Sequence, residues 1–225
     1  MGEKSGIFDM LGPVMVGPSS SHTAGVVRIG RVARRILGRT PSYAHITFYN
    51  SFARTFEGHG SDRAIIGGLL DFKTDDERLK TALDLAPDFG LQYDFKSVTN
   101  SSTMHPNTVK VEIEDGDKKA TIIGESTGGG AINISHIDDF KAGFNARLHT
   151  LIIKADDKKG IIAFIANILA QDECNIATMS VSRKSKNAQA CHVIEMDSGI
   201  KKTTLDYLNS LEWTKEIIYI PDIDL

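Results

Sequence analysis

Two rhythms of apolar and polar positions run along the chain, and one gives way to the other near residue 147. From Leu148 onward the pattern is regular. Leu148–Ala155 reads as a strand. After the loop DDKKG, the apolar positions Ile161, Ile162, Phe164, Ile165, Ile168 and Leu169 share one broad face and predict a helix over 161–171. Ile176–Arg183 alternates as a second strand, Lys184–Asn187 turns the chain, and Gln189–Met196 returns it. Thr203–Leu211 is a short helix and Thr214–Ile220 a last strand, stopped by Pro221. Strand, helix, strand, strand, helix, strand is a split β-α-β order.

Before residue 147 the chain is irregular and rich in Gly, Ser, His and polar loops. After GPSSSHTAG a helix is predicted, with Val26, Ile29, Ala33, Ile36 and Leu37 on one face. Arg28, Arg31, Arg34 and Arg35 fall largely on the other face, and Gly38 is placed to end the helix. Tyr43–Tyr49 reads as a strand, and Gly58-His59-Gly60 leads into a second helix with Ile65, Ile66, Leu69 and Leu70 as its buried stripe. Thr108–Glu114 and Ala120–Ser126 alternate around Asp115-Gly116 as a hairpin. The expected architecture is α+β in two domains, 1–147 and 148–225.

Composition narrows the function classes. The 225 residues are 41% hydrophobic and 24% charged, with a formal charge of -3, so a strongly basic nucleic-acid binder is not the expectation. No apolar run approaches the ~20 residues that span a bilayer. MGEKSGIFDM has no basic region followed by an apolar core, and Gly6 stands where a myristoylation signal wants Ser or Thr, so neither signal is expected. A cytoplasmic, soluble protein is the reading. The two cysteines, Cys174 and Cys191, do not form a C-x-x-C pair, so neither a zinc site nor an iron–sulfur site is expected on this chain.

Three polar loops carry the candidate chemistry. In GPSSSHTAG, Ser20 or Ser21 is a natural cap, and helix N-termini bind anions through free N–H groups. Capping accounts for one hydroxyl, not for Ser20, Ser21, His22 and Thr23 in succession. Ser61 or Asp62 caps the second helix, and His59 between two glycines sits on backbone that a ligand can approach closely. In the third loop, SSTMHPNT, His105 and Asn107 flank Pro106 at a strand mouth. Gly128-Gly129-Gly130 follows. No G-x-G-x-x-G or P-loop accompanies it, so nucleotide binding has no support.

Two resemblances emerge from these segments. DDKKGIIAFIANILAQDECNIATMSVSRK resembles an ACT domain, a ferredoxin-like βαββαβ module that binds amino acids. Asp156, Asp157, Gly160, Asn175 and Ile176 match the family's places, which implies effector binding at Asp157, Gly160, Asn175 and Ile176 and self-association through this domain. Lys158 and Lys159 stand where many members have Pro, and plain turn chemistry remains an alternative for Gly160 and Asn175. GPSSSHTAG, EGHGSDRAI, MHPNTVKVE and STGGGAINI together resemble the beta chain of the iron–sulfur L-serine dehydratases. That family's N-terminal portion is an α/β domain related to the allosteric substrate-binding domains of some phosphoglycerate dehydrogenases.

The second resemblance implies a reaction: L-serine to pyruvate and ammonia, by loss of water and hydrolysis of the resulting imine. Such a catalyst needs a Lewis acid at the hydroxyl, a base at Cα and donors for the carboxylate. In the family a 4Fe-4S cluster supplies the first. With two cysteines here, the cluster is expected on a partner alpha subunit. His22 and His59 are the implied proton-transfer residues, while Ser20, Ser21, Thr23, Asp62, His105 and Asn107 are the implied substrate contacts. Two alternatives stay open: a purely amino-acid-sensing subunit and a scaffold without catalytic residues.

Overall fold

The computed structural model describes residues 14–101 and 103–223. The N-terminal leader reading and Ser102 of the third loop therefore lie outside the described residues. The chain divides into two compact units, Met1–Ser135 and His136–Leu225.

In the first unit a short π-helical turn, Ser20–Ala24, runs directly into helix α1, Gly25–Leu37. Strand β1 (Tyr43–Tyr49) follows, then α2 (Asn50–Thr55), α3 (Ser61–Leu69), α4 (Ala82–Leu85) between two 3-10 turns, and β2 (Gln92–Val98). Strands β3 (Thr108–Asp115), β4 (Lys118–Gly128) and β5 (Ala131–Ile137) complete it. The strands lie in the order β2-β1-β3-β4-β5. β1 pairs parallel with β2 and antiparallel with β3, and β3 pairs antiparallel with β4.

Register explains the core. Ile46 of β1 lies beside Val111 of β3, which lies beside Ile122 of β4. All three are fully buried, and alternation along each strand keeps them on one face. α1 packs against that sheet. Gly124 of β4 leaves room for it, because a Cβ there would stand 2.7 Å from Ile29 Cγ2. α1 also packs against α3, so its polar face is covered too: Arg28 and Arg31 are buried. Arg28 donates to the Gly130 carbonyl at 2.5 Å, and Arg31 and Arg35 both donate to Asp71. The triple glycine is thus a bend, with φ of 103°, 59° and 78°, that offers a carbonyl to a buried guanidinium. Gly38 closes α1 in the left-handed conformation the sequence called for, φ 86°.

The second unit contains β6 (Phe140–Phe144), β7 (His149–Asp156), α5 (Ile161–Gln171), β8 (Ile176–Arg183), β9 (Gln189–Met196), α6 (Lys202–Asn209) and β10 (Thr214–Ile220). Its sheet has the order β10-β7-β9-β8, with antiparallel neighbours throughout. That is the split β-α-β order read from the sequence. Leu151, Ile153, Ala155, Ile165, Leu169, Ile194 and Met196 form its core beneath the helices. The division between the units falls earlier than the change of rhythm at 147 because β6 joins the second unit. Ser180 and Ser182 of β8 donate to the carbonyls of Ala142 and Lys141 at 3.0 and 2.8 Å.

Candidate functional site

His22 and His59 come from different loops, each leading into a helix, and the fold brings their rings together edge to face, centroids 4.7 Å apart. The π turn sets His22. Ser19, rather than the expected Ser20 or Ser21, caps it: Ser19 Oγ accepts from His22 N at 3.2 Å. A π turn carries one residue more per turn than an α-helix, and such turns occur often at functional sites.

Cross-links hold the two loops. Thr23 Oγ1 donates to the His59 carbonyl at 3.2 Å, and Ser61 Oγ donates to the His22 carbonyl at 2.7 Å. Ser61 therefore spans to the other loop instead of capping α3, whose N-cap is Gly60 in the left-handed region, φ 70°. Gly17, φ 124°, folds over Thr23 so closely that a Cβ would meet Thr23 Cγ2 at 2.7 Å. Phe52 of α2, fully buried, packs edge-on against His22 with centroids 5.1 Å apart.

The ring nitrogens are distinct. His22 Nδ1 lies 3.0 Å from Ser21 Oγ and 3.3 Å from Ser19 Oγ. His22 Nε2 and His59 Nδ1 are buried with no hydrogen-bond partner among the described residues. Burial first, and next the charge of His59, hold His22 below the usual histidine range. His59 and Thr23 line a pocket of about 170 Å³, together with Gly17, Glu57, Arg63 and Lys80. Its size suits a small metabolite, and the lining sets hydroxyl, imidazole, carboxylate and cationic groups side by side.

The other expected residues are placed differently. Ser21 faces His22, and Ser20 is half-buried outside the pocket lining. Asp62 is buried on α3, its Oδ1 accepting from Arg63 N at 2.8 Å, and burial raises its carboxyl above the ordinary range. His105 is exposed, its Nδ1 accepting from Asn107 N at 3.2 Å. Asn107 gives its carbonyl to Ser126 N at 3.0 Å. No contact among the described residues brings the His105 ring to His22 or His59. Sequence reasoning missed Ser19 and Phe52, and it missed the pocket residues Glu57, Arg63 and Lys80. Glu57 and Arg63 flank the motif around His59, and their charge beside a glycine-framed histidine was the available signal.

In the second unit, Gly160 opens α5 with φ 88°. Asp157 accepts from Asn187 N and from Arg183 Nη1, both at 3.1 Å, which hold its carboxyl below the usual range. Asn175 donates to Asp197 Oδ2 at 2.6 Å. Asp157 and Gly160 thus stand at the Arg183 end of β8, and Asn175 and Ile176 at its other end, so one copy does not gather the four into one site. Both cysteines are free and buried, and burial pushes the Cys191 thiol up to about 11.

Fold and site define a mixed α/β protein whose first unit carries a paired-histidine pocket. A family model described as "Serine dehydratase beta chain" matches residues 6–136. "Probable L-serine dehydratase, beta chain" of Bacillus subtilis (strain 168) is 44% identical over 216 residues, 96% of this chain and 98% of that protein. "L-serine dehydratase, beta chain" of Peptoniphilus asaccharolyticus is 34% identical over 197 residues, 87% and 89% of the two chains. The ACT domain crystal structure from a GTP pyrophosphokinase of Chlorobium tepidum aligns at 18% identity over 32% of this chain and 94% of its own, TM-score 0.25. The chain belongs to the serine dehydratase beta chain family.

Proposed function

We propose that this chain is the beta subunit of an L-serine dehydratase and, with an alpha subunit, converts L-serine to pyruvate and ammonia. The observation that carries the reading is the meeting of His22 and His59 behind a pocket that His59 and Thr23 line. Removing the Cα proton of serine needs a base held within reach, and histidine is suited to that exchange near neutral pH. In this reading the His22–His59 pair handles the Cα proton and Thr23 contacts the substrate. The electron pair left at Cα enters the Cα–Cβ bond as the Cβ–O bond breaks, and the departing hydroxyl takes up the proton removed from Cα and leaves as water. The enamine becomes an imine, and a second water releases pyruvate and ammonia.

The residues of this chain do not fit an iron–sulfur cluster. Its two thiols are buried in the second unit. Among the described residues no group of three or more His, Cys, Asp and Glu side chains could hold a metal. We therefore place the 4Fe-4S cluster on the alpha subunit, and no step above is assigned to a metal on this chain. The second unit is proposed as an ACT-type module that associates with a second copy and takes an amino-acid effector near Asp157 and Gly160. Among the described residues no helix is long and apolar enough to cross a membrane, and a cytoplasmic location completes the proposal.

The test is anaerobic pyruvate formation from L-serine, with this chain alone and with its partner carrying a verified cluster. Turnover in the mixture alone is expected. Turnover by the isolated chain, or none in the mixture, overturns the reading.

A further inference from the structure

His59 lines the pocket and His22 stands behind it, and we propose that the two histidines divide the labour. His59 Nε2 exchanges the proton with the substrate. His22 is a positioning residue, neutral throughout, that donates Nδ1–H to Ser21 Oγ and offers its Nε2 lone pair to the Nδ1–H of His59. The inference rests on the reading of this pocket as the substrate's site and goes further, giving each ring nitrogen one task.

Four observations carry it. First, of the two imidazoles, His59 is the one among the residues lining the pocket. Its Nδ1 is buried, so Nε2 is the nitrogen left to meet a ligand. Second, the buried, unpartnered nitrogens are one on each ring, His22 Nε2 and His59 Nδ1, on rings whose centroids are 4.7 Å apart. Leaving two buried polar atoms unmade is costly, and one N–H···N bond, closed by a tilt of either ring, satisfies both.

Third, the hydroxyls beside His22 can be arranged in one direction that suits this role. Ser19 Oγ accepts from His22 N at 3.2 Å and lies 3.3 Å from Ser21 Oγ, and in the proposal Ser21 donates to it. The Ser21 lone pairs are then free to accept from His22 Nδ1 at 3.0 Å. In this arrangement the His22 proton sits on Nδ1 and Nε2 is an acceptor. Fourth, Phe52 packs edge-on against His22, an apolar contact that disfavours a second charge beside His59. When His59 Nε2 takes the Cα proton, the resulting cation keeps Nδ1–H bonded to a neutral acceptor. Nε2 then gives the proton to the departing hydroxyl, and His22 neither gains nor loses one.

The tautomer is read directly from long-range ¹H–¹⁵N spectra of the histidine rings in the full chain at neutral pH. The expected spectrum shows His22 protonated at Nδ1 with Nε2 as acceptor. His22 protonated at Nε2 overturns the proposal without any variant. In the assembled enzyme, His22→Ala should lower kcat by roughly 10²-fold with little change in KM, and His22→Gln should recover most of it. A glutamine amide oxygen still accepts from His59 Nδ1 but cannot exchange a proton. If Gln is as impaired as Ala, His22 itself carries the proton and the division of labour is wrong. Failure of the pocket reading is distinguishable: it is reported by wild-type kcat in His59→Ala, whatever the His22 tautomer.

Discussion

Gly30 of α1 and Gly68 of α3 face each other where the two histidine-bearing loops' helices cross. A Cβ on Gly68 would stand 2.2 Å from the Val27 carbonyl oxygen and 2.9 Å from Gly30 Cα, both backbone atoms that cannot swing aside. The close crossing is what lets the loops before α1 and α3 bond to each other, through Ser61 to His22 and Thr23 to His59.

Gly68→Ala is therefore expected to destabilise the chain by about 1–3 kcal/mol, the usual cost of overpacking. In an open helix the same change would stabilise by roughly 0.5–1 kcal/mol, so the sign itself is informative. Urea midpoints at unchanged slope measure it. An unchanged or raised midpoint contradicts the close crossing.

Ser61 is fully buried, and its hydroxyl satisfies the His22 carbonyl. Ser61→Ala should cost about 1–3 kcal/mol by leaving that acceptor unmade. The assembled enzyme should lose activity as well, because the bond joins the two loops alongside that from Thr23 to the His59 carbonyl. A variant with wild-type stability and turnover would show that the cross-link does not position the site.

Half-buried His22 and buried Asp62 pull stability in opposite directions with pH. His22 titrates below its ordinary 6.5 in the folded chain, chiefly through burial. Between its folded value and 6.5 the unfolded chain binds more protons, so its contribution is present above 6.5 and lost as pH falls through that window. Asp62 titrates above its ordinary 3.8, again chiefly through burial. Its contribution is present below 3.8 and lost as pH rises through the folded value, so ionised Asp62 weakens the fold at neutrality. Asp62→Asn, which keeps an acceptor for Arg63 N, should raise the urea midpoint at neutral pH, with the gain vanishing below 3.8. A lower midpoint at neutral pH contradicts this.

Much of the second unit was legible because its signals are local. The apolar stripe and the glycine before it give α5 as 161–171, matching Ile161–Gln171, and period-two alternation locates β8 and β9. In the first unit, α2 is six residues long and β2 has no buried residue along its length, so neither has a periodic stripe to read. β2 is defined by its parallel pairing with β1, a relationship between distant segments. β5 and β6 were hidden for a similar reason, separated by a tight turn at Asp138 with φ 50°. Within the site, the residue types were legible and their partners were not. The π turn shifts the cap to Ser19 and turns Ser21 toward His22, a one-residue offset that a 3.6-residue period does not reveal.

Cys191 is fully buried with its thiol pushed up to about 11, and Cys174 is also buried in the same unit. A thiol reagent should modify neither in the folded chain and both after unfolding. Incubating this chain alone with iron and sulfide should yield no stable cluster absorbance, while the alpha subunit should acquire one. A stable cluster on the isolated chain would contradict its placement on the partner.

The central claim is that His59 of this chain acts on the substrate in the assembled enzyme. Anaerobic kcat for L-serine, measured with His59→Ala in place of the wild-type chain and with assembly verified, tests it most directly. The account predicts a fall of roughly 10²–10⁴-fold, the range for losing a general base. A kcat equal to wild type would contradict it and leave this chain a sensor or scaffold for a site built wholly elsewhere.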